Sequence, residues 1–298
     1  MGSALAESLP GKVKILVRTN KNKDRIKNQK IKIIKKNLLK ISKEDVKGVD
    51  VIYHCASTVD NYNVLDDPYI DVKTNLNGTI ALLEACKDLK KKPVIIFFST
   101  FFVYGNVYAH TKKAITEESV TDPLAIYPAT KLAAESIIKL YSRLYNIPYI
   151  ICRLTNVYSE NEDYSNKKKG AFNYMTMLAV KGEPLFVYKG GNFQRDYIHL
   201  DDVIAAIKFL VMKKVKNDTF LIGFGKPVFF KDMIGYVHHL TGKKSTINEK
   251  EPPVFHKAVG IGDFVADTSK IRNLGWHAKI GYKEGIKKIV KKYKTLND

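Results

Sequence analysis

Short runs of β-branched and apolar residues alternate along this chain with stretches of helical periodicity: Val13 to Val17, Ile31 to Ile34, Val51 to Cys55, Val94 to Phe98, Tyr149 to Leu154 and Phe220 to Ile222 are the runs. That alternation is the tightest constraint on the fold, because parallel strands need a long crossover between them and a helix is its usual form. Thr79 to Lys87 and Ala129 to Tyr145 place apolar residues at helical spacing, as crossover helices should. Asp196 to Lys213 reads as a further helix that returns to the sheet before the strand at Phe220. From about Ser159 the pattern loosens into loops and shorter elements, with Gly190 and Gly191 and the pair Pro252 and Pro253. The expectation is an α/β fold: a doubly wound parallel sheet formed mainly by 1–158 and joined again near 196–225, with a smaller C-terminal lobe over most of 159–298.

A chain of 298 residues with 45% hydrophobic content can bury a sizeable core. No apolar run approaches the roughly 18 residues of a membrane span, and the opening MGSALAESLP lacks the basic and apolar segments of a secretory signal. Cys55, Cys86 and Cys152 are odd in number and lack ligand spacing, which points to a reduced compartment and a cytoplasmic protein. The net charge of +20 invites a nucleic-acid reading. Lysines dominate it, however, between Lys12 and Lys47 and again from Lys283 to Lys294, and no base-stacking aromatic motif accompanies them. A solvated lysine-rich surface suited to anionic small molecules is the better expectation, without nucleic acid or membrane as partner.

The segment YPATK places Tyr127 and Lys131 four apart on a helical stretch, so one turn carries both on one face. A phenol is a poor base at neutral pH, but a neighbouring ammonium stabilises the phenolate, and such a pair can remove a hydroxyl proton while a hydride leaves the same carbon. Upstream, IIFFSTFFVYG is an apolar strand ending in Ser99 and Thr100, and chemistry in a doubly wound sheet sits beyond the carboxyl ends of its strands. His199, Asp201 and Asp202 have the composition of a metal triad, although the expectation is that none is bound.

With these motifs, and with DVIYHCAS, NLNGTIALLEACK, RLTNVY, GGNFQRDYIHLDDV and ADTSKIRNLGWHAKIGYKEGIKK in order along the chain, the sequence resembles the extended short-chain dehydrogenase/reductase family, in particular its NAD-dependent sugar-nucleotide epimerases and dehydratases. The resemblance implies a Rossmann-like dinucleotide-binding domain followed by a substrate lobe. It makes Thr100, Tyr127 and Lys131 the catalytic trio, with Tyr127 the base and Lys131 also on the nicotinamide ribose, while Ser99 is a substrate contact. In the dehydratases the two residues after that threonine form an acid pair. Here they are Phe101 and Phe102, whose rings carry no exchangeable proton, so epimerisation is favoured over dehydration. Arg195 matches the arginine that grips a nucleotide-sugar diphosphate, for which a planar fork of donors is suited. Asn156 matches a substrate asparagine, although Ser159 and Glu160 follow where the family continues with Gly and Pro.

The cofactor is expected to be NAD, with NADP possible because Arg18 stands where an acid usually binds the adenosine ribose. Asn37 and Leu38 lie at the adenine position, and Ala56, Ser57 and Asn75 match positions lining the cofactor. Family members open with a strand and a glycine-rich phosphate loop. Here GSALAESL after Met1 resembles only the end of that loop, with Gly2 its last glycine, so the resemblance implies a sheet lacking its first strand. Losing about five buried apolar side chains costs on the order of 10 kcal/mol, which rivals a whole domain's stability, and poor dinucleotide retention is expected. A homodimer through the helices near Asn75 and Ala129 is expected by the same analogy. The leading functional expectation is 4-epimerisation of a UDP-hexose through a transient 4-keto sugar. An NADPH-dependent carbonyl reductase and a catalytically impaired nucleotide-sugar-binding remnant are the alternatives.

Overall fold

A computed structural model describes residues 1–19, 26–58, 67–162 and 170–296. The chain divides into two compact units. The first comprises Met1–Ser99, Ile126–Cys152 and Val211–Thr219, and the second Thr100–Ala125, Arg153–Leu210 and Phe220–Asp298.

In the first unit, strands β1 (Lys14–Val17) and β2 (Lys32–Lys35) pair in parallel, Ile15 opposite Ile33. β3 (Val51–His54) and β4 (Val94–Thr100) also pair in parallel, Ile52 opposite Ile95. With β5 (Tyr149–Leu154) and β9 (Asp218–Ile222) they form a sheet in the order β3-β4-β5-β9. The expected single sheet is therefore in two pieces, because among the described residues no strand bridges the free edges of β1 and β3. Burial follows the pairing. Every residue of β5 and all but the first of β4 are buried, whereas β1 and β3 are largely half-exposed.

The crossover helices follow the expected periodicity. After α1 (Gly2–Ser8), α2 (Gly78–Lys87) turns Leu82, Leu83 and Cys86 inward, and α3 (Ile126–Tyr145) turns in Ala134 and Ile138. These meet Ile95, Phe97, Tyr149 and Ile151 of the sheet in one core. Pro128 sits in the first turn of α3, where its missing N–H would have had no helical partner.

The second unit holds the three-stranded sheet β10-β8-β6. Its strands are β6 (Asn156–Tyr158), β8 (Gln194–His199) and β10 (Pro227–Phe229), with β8 parallel to β6 and antiparallel to β10. The helix expected from Asp196 is here corrected. Gln194–His199 is a strand, because its backbone is taken up by neighbours on both sides, and the helix α5 (Leu200–Met212) starts later, with Asp201 and Asp202 in its first turn where the helix dipole favours acids. A short sheet pairs β7 (Leu185–Tyr188) in parallel with β11 (Ile247–Lys250). Helices α4 (Ala171–Lys181), α6 (Phe230–Leu240) and α7 (Tyr282–Thr295) enclose a second core with Tyr158, Leu185, Met233, Ile286 and Tyr293. No helix among the described residues is long and apolar enough to cross a membrane.

Gly285 lies inside α7, where glycine usually costs about 1 kcal/mol relative to alanine. Its hydrogen makes room for Tyr158, whose hydroxyl and ring would clash with any Cβ. Gly285→Ala is therefore expected to destabilise the protein by about 1–3 kcal/mol despite the gain in helix propensity, and to cost less when introduced into Tyr158→Ala, where the clash is gone. Urea unfolding midpoints of wild type, the two single variants and the double variant check this.

Candidate active site

The first unit gathers its chemistry on one face of α3. Tyr127, Lys131 and Glu135 follow each other at intervals of four residues, and the last two are buried, 2% and 1% exposed. Tyr127 itself is half-buried. The Lys131 ammonium stands over the Phe97 ring, 4.3 Å from its centroid. Burial pushes this ammonium down to about 8 from its usual 10.5, with Cys55 and Glu135 opposing the shift. The Cys55 thiol is itself pushed up to about 12 by burial, against the pull of the N-terminal amine and Lys131, so it is neutral at neutral pH. Ser99, at the end of β4, donates its hydroxyl hydrogen to the Glu135 carboxylate. That hydroxyl is turned toward the helix.

Asn75 is buried and its amide is saturated by the protein. Its oxygen accepts from Ser57 Oγ and the Thr58 N–H, and its nitrogen donates to Thr58 Oγ1 and Thr130 Oγ1. Thr130 in turn donates to the Tyr127 carbonyl. This network ties the loop after β3 to the first turn of α3, so Asn75 and Ser57 hold the start of the Tyr127 helix. Ala56 beside them is exposed. His54 is held by the adjacent bond, Nε2 to Thr79 Oγ1 at 2.8 Å. Since the Thr79 hydroxyl gives its own hydrogen to the Asn75 carbonyl, it must accept from His54, which fixes a neutral ring protonated at Nε2.

At the carboxyl ends of β1 and β2, Arg18 is exposed, and Asn37 is exposed with its side-chain oxygen accepting from the Leu39 N–H. Leu38 packs against Gly78 at the base of α2. Gly2 opens α1, and a Cβ built there would lie 3.6 Å from Cys55 Cβ.

In the second unit, the Thr100 hydroxyl accepts from the Phe102 N–H at 3.3 Å, so its own hydrogen remains a donor. Phe101 and Phe102 stack with ring centroids 4.4 Å apart, and Phe101 also packs on Phe264. Arg195 donates from Nε to the Gly262 carbonyl at 3.1 Å and from a terminal nitrogen to that of Ile261, and its guanidinium lies 5.0 Å from the Phe193 ring centroid. Among the described residues no carboxylate lies within salt-bridge distance of it; burial lowers its proton affinity, and the nearby Tyr197 and Asp263 oppose that shift. Asn156 donates to the Asp196 carbonyl at 3.0 Å, which leaves its side-chain oxygen outside that bond. The Asp196 carboxyl, pushed up to about 6 by burial, accepts from Thr155 Oγ1 and from the N–H groups of Phe224 and Gly225, and so pins the turn after β9. His199 is fully buried; Nε2 meets Glu160 at 3.0 Å and Nδ1 accepts the Asp201 N–H. Glu160, His199 and Asp201 offer ligand atoms within 4.8 Å of one another, but the two carboxylates lie at opposite ring nitrogens and Lys288 already faces Asp201. That arrangement suits a hydrogen-bonded strut.

The model of the NAD dependent epimerase/dehydratase family matches residues 1–223. This chain belongs to that family. Among curated proteins it is similar to one of Methanocaldococcus jannaschii provisionally named a UDP-glucose 4-epimerase, 29% identical over 86% of this chain and 80% of that protein. Its fold is similar to that of the Thermotoga maritima UDP-glucose 4-epimerase solved with UDP-glucose, with TM-score 0.88 and 24% identity over 100% of this chain and 96% of that one. It is also similar to the Bacillus cereus UDP-glucuronic acid 4-epimerase solved with UDP-glucuronic acid and NAD, with TM-score 0.81 and 24% identity over 92% and 85% of the two chains. The family relation and the parallel α/β architecture expected from the motifs are thus as the sequence implied. Sequence reading missed Glu135, Thr58 and Thr130. Glu135 was within reach, since it continues the spacing of four that joins Tyr127 to Lys131, whereas the two threonines carry no signal until the loop and helix are brought together.

Burial pushes the His54 ring down to about 3 from 6.5, with Lys131 adding to the shift. A base whose folded pKa is depressed contributes stability that is present above about 6.5 and lost as pH falls toward 3. Wild-type stability should therefore drop between pH 7 and pH 4.5 by on the order of 2–3 kcal/mol more than that of His54→Gln, which keeps a donor to Thr79 but has no proton to gain. Urea unfolding at the two pH values measures the difference.

Proposed function

We propose that this family member epimerises a nucleotide-diphosphate sugar, with C4 of a UDP-hexose as the position inverted through a transient 4-keto sugar. The observation that carries the reading is the Tyr127 phenol one helical turn from the buried Lys131 ammonium. The ammonium favours phenolate over phenol, so Tyr127 can take the proton of a sugar hydroxyl and return it to either face of the resulting ketone. In the second unit Thr100 keeps its hydroxyl hydrogen as a donor for a substrate oxygen. Phe101 and Phe102 leave the position after Thr100 without a proton donor, which supports oxidation and re-reduction over elimination of water.

The residues of the first unit fit a nicotinamide dinucleotide at its adenosine end, because Arg18 and Asn37 are exposed there and, among the described residues, donate no hydrogen bond. When bound, the nicotinamide supplies the acceptor and then the donor of the hydride. Lys131 holds its ribose, and Gly2 keeps the backbone at the start of α1 open to its diphosphate. The exposed guanidinium of Arg18 is compatible with NADP as well as NAD. In the second unit Arg195, oriented by two backbone carbonyls, takes the diphosphate of the sugar nucleotide, and Asn156 orients the same phosphates. In this reading the first unit is the dinucleotide-binding domain, the second carries the sugar nucleotide, and the protein acts as a homodimer.

The test is conversion of UDP-glucose to UDP-galactose by the purified chain with NAD, followed by nuclear magnetic resonance without net change in cofactor. Tyr127→Phe should lower turnover about 10²–10⁴-fold with the fold retained, and net consumption of a reduced cofactor with no epimer formed would overturn the reading in favour of a reductase. Arg195→Ala is expected to raise KM for the sugar nucleotide far more than it lowers kcat. The rate should also decline above about pH 8, as Lys131 loses its proton.

A further inference from the structure

A carboxylate nine-tenths or more buried is costly to desolvate and persists only where donors or charges compensate it. Glu135 is such a group, 1% exposed on the inner face of α3, and it is not consumed by any step derived above. Its compensations include two that bear on the site. The Ser99 hydroxyl at the end of β4 donates to it, and the Lys131 ammonium lies one turn earlier on the same helical face. An ordinary staple between helix and strand would need only the first of these.

We propose that Glu135 is a positioning residue for the catalytic pair: its carboxylate fixes the end of β4 through Ser99 and supplies the negative charge that keeps the buried Lys131 charged beside Tyr127. Among the described residues Lys131 is faced by four groups besides Tyr127, which stands one turn earlier on its own helix. From β3 and the residue after it come His54 and Cys55, from β4 the Phe97 ring, and from its own helix Glu135. At neutral pH the His54 ring and the Cys55 thiol are both uncharged, as their shifts require. Cys55 and Glu135 both oppose the desolvation of the ammonium, and of the two only Glu135 is a carboxylate. The hydroxyl of Ser99, spent on Glu135, is thereby a donor to the scaffold rather than to the sugar.

The consequence for turnover rests on the epimerase reading, but the decisive measurement does not need turnover. In the full chain carrying ¹³C,¹⁵N-labelled lysine, the Lys131 signal is assigned by its loss in Lys131→Met and titrated. Glu135→Gln keeps the shape and an oxygen that accepts from Ser99 while removing the charge, so the Lys131 midpoint should fall by about one pH unit, a tenfold loss of proton affinity. A midpoint unchanged in a folded Glu135→Gln protein overturns the proposal. If that variant does not fold, Ser99→Ala is titrated instead: it removes the hydroxyl and leaves the charge, so the midpoint should stay at or above the wild-type value, and a fall would show that the hydroxyl sets it and overturn the proposal. Where the midpoint moves in Glu135→Gln but the alkaline limb of the epimerisation rate does not move with it, the electrostatic role of Glu135 stands and the assignment of Lys131 to catalysis fails.

Discussion

An ammonium buried against the central sheet governs the first unit. Lys131 is removed from water at the inner face of α3, where an unpaired charge would be prohibitively costly. Its surroundings are built accordingly: an aromatic face from β4 lies 4.3 Å beneath it, a carboxylate stands one turn along its helix, and His54 and Cys55 are kept neutral by the same burial. A partial loss of proton affinity remains, to about 8, because burial outweighs the charges that oppose it.

Around that charge, polar side chains serve as framework more often than as ligands. Asn75 spends both hydrogens and its oxygen on Ser57, Thr58 and Thr130. In the second unit Asp196 does the same for the turn after β9, and His199 bridges Glu160 to the start of α5. Fully satisfied networks of this kind fix side chains more sharply than apolar packing does, and each partner removed leaves a buried group unmet. Arg195 is held by two carbonyls and an aromatic ring, with Asp263 acting on it at longer range.

The strands and crossover helices were legible because their signal is local. Periods of two and of 3.6 residues are set by backbone geometry, and β4, β5, α2 and α3 fall where the runs of apolar residues put them. The segment from Asp196 was misread for the complementary reason: DYIHLDDV carries both periodicities, and only pairing of Gln194–His199 with β6 and β10 decides that its first half is extended. The sheet's division into β1-β2 and β3-β4-β5-β9 is likewise a matter of which edges find partners.

By itself the sequence determined the α/β class, the family, and the Tyr127–Lys131 pair, because helix spacing alone puts two side chains four apart on one face. It determined as well that the residues after Thr100 are aromatic rather than acidic. Only the tertiary structure decided which polar residues are spent. That Ser99 gives its hydrogen to Glu135, that Asn75 has none left to give, and that Lys131 is dry depend on contacts between segments distant along the chain. Desolvation and hydrogen-bond saturation are properties of enclosure, and no residue's neighbours in sequence enclose it.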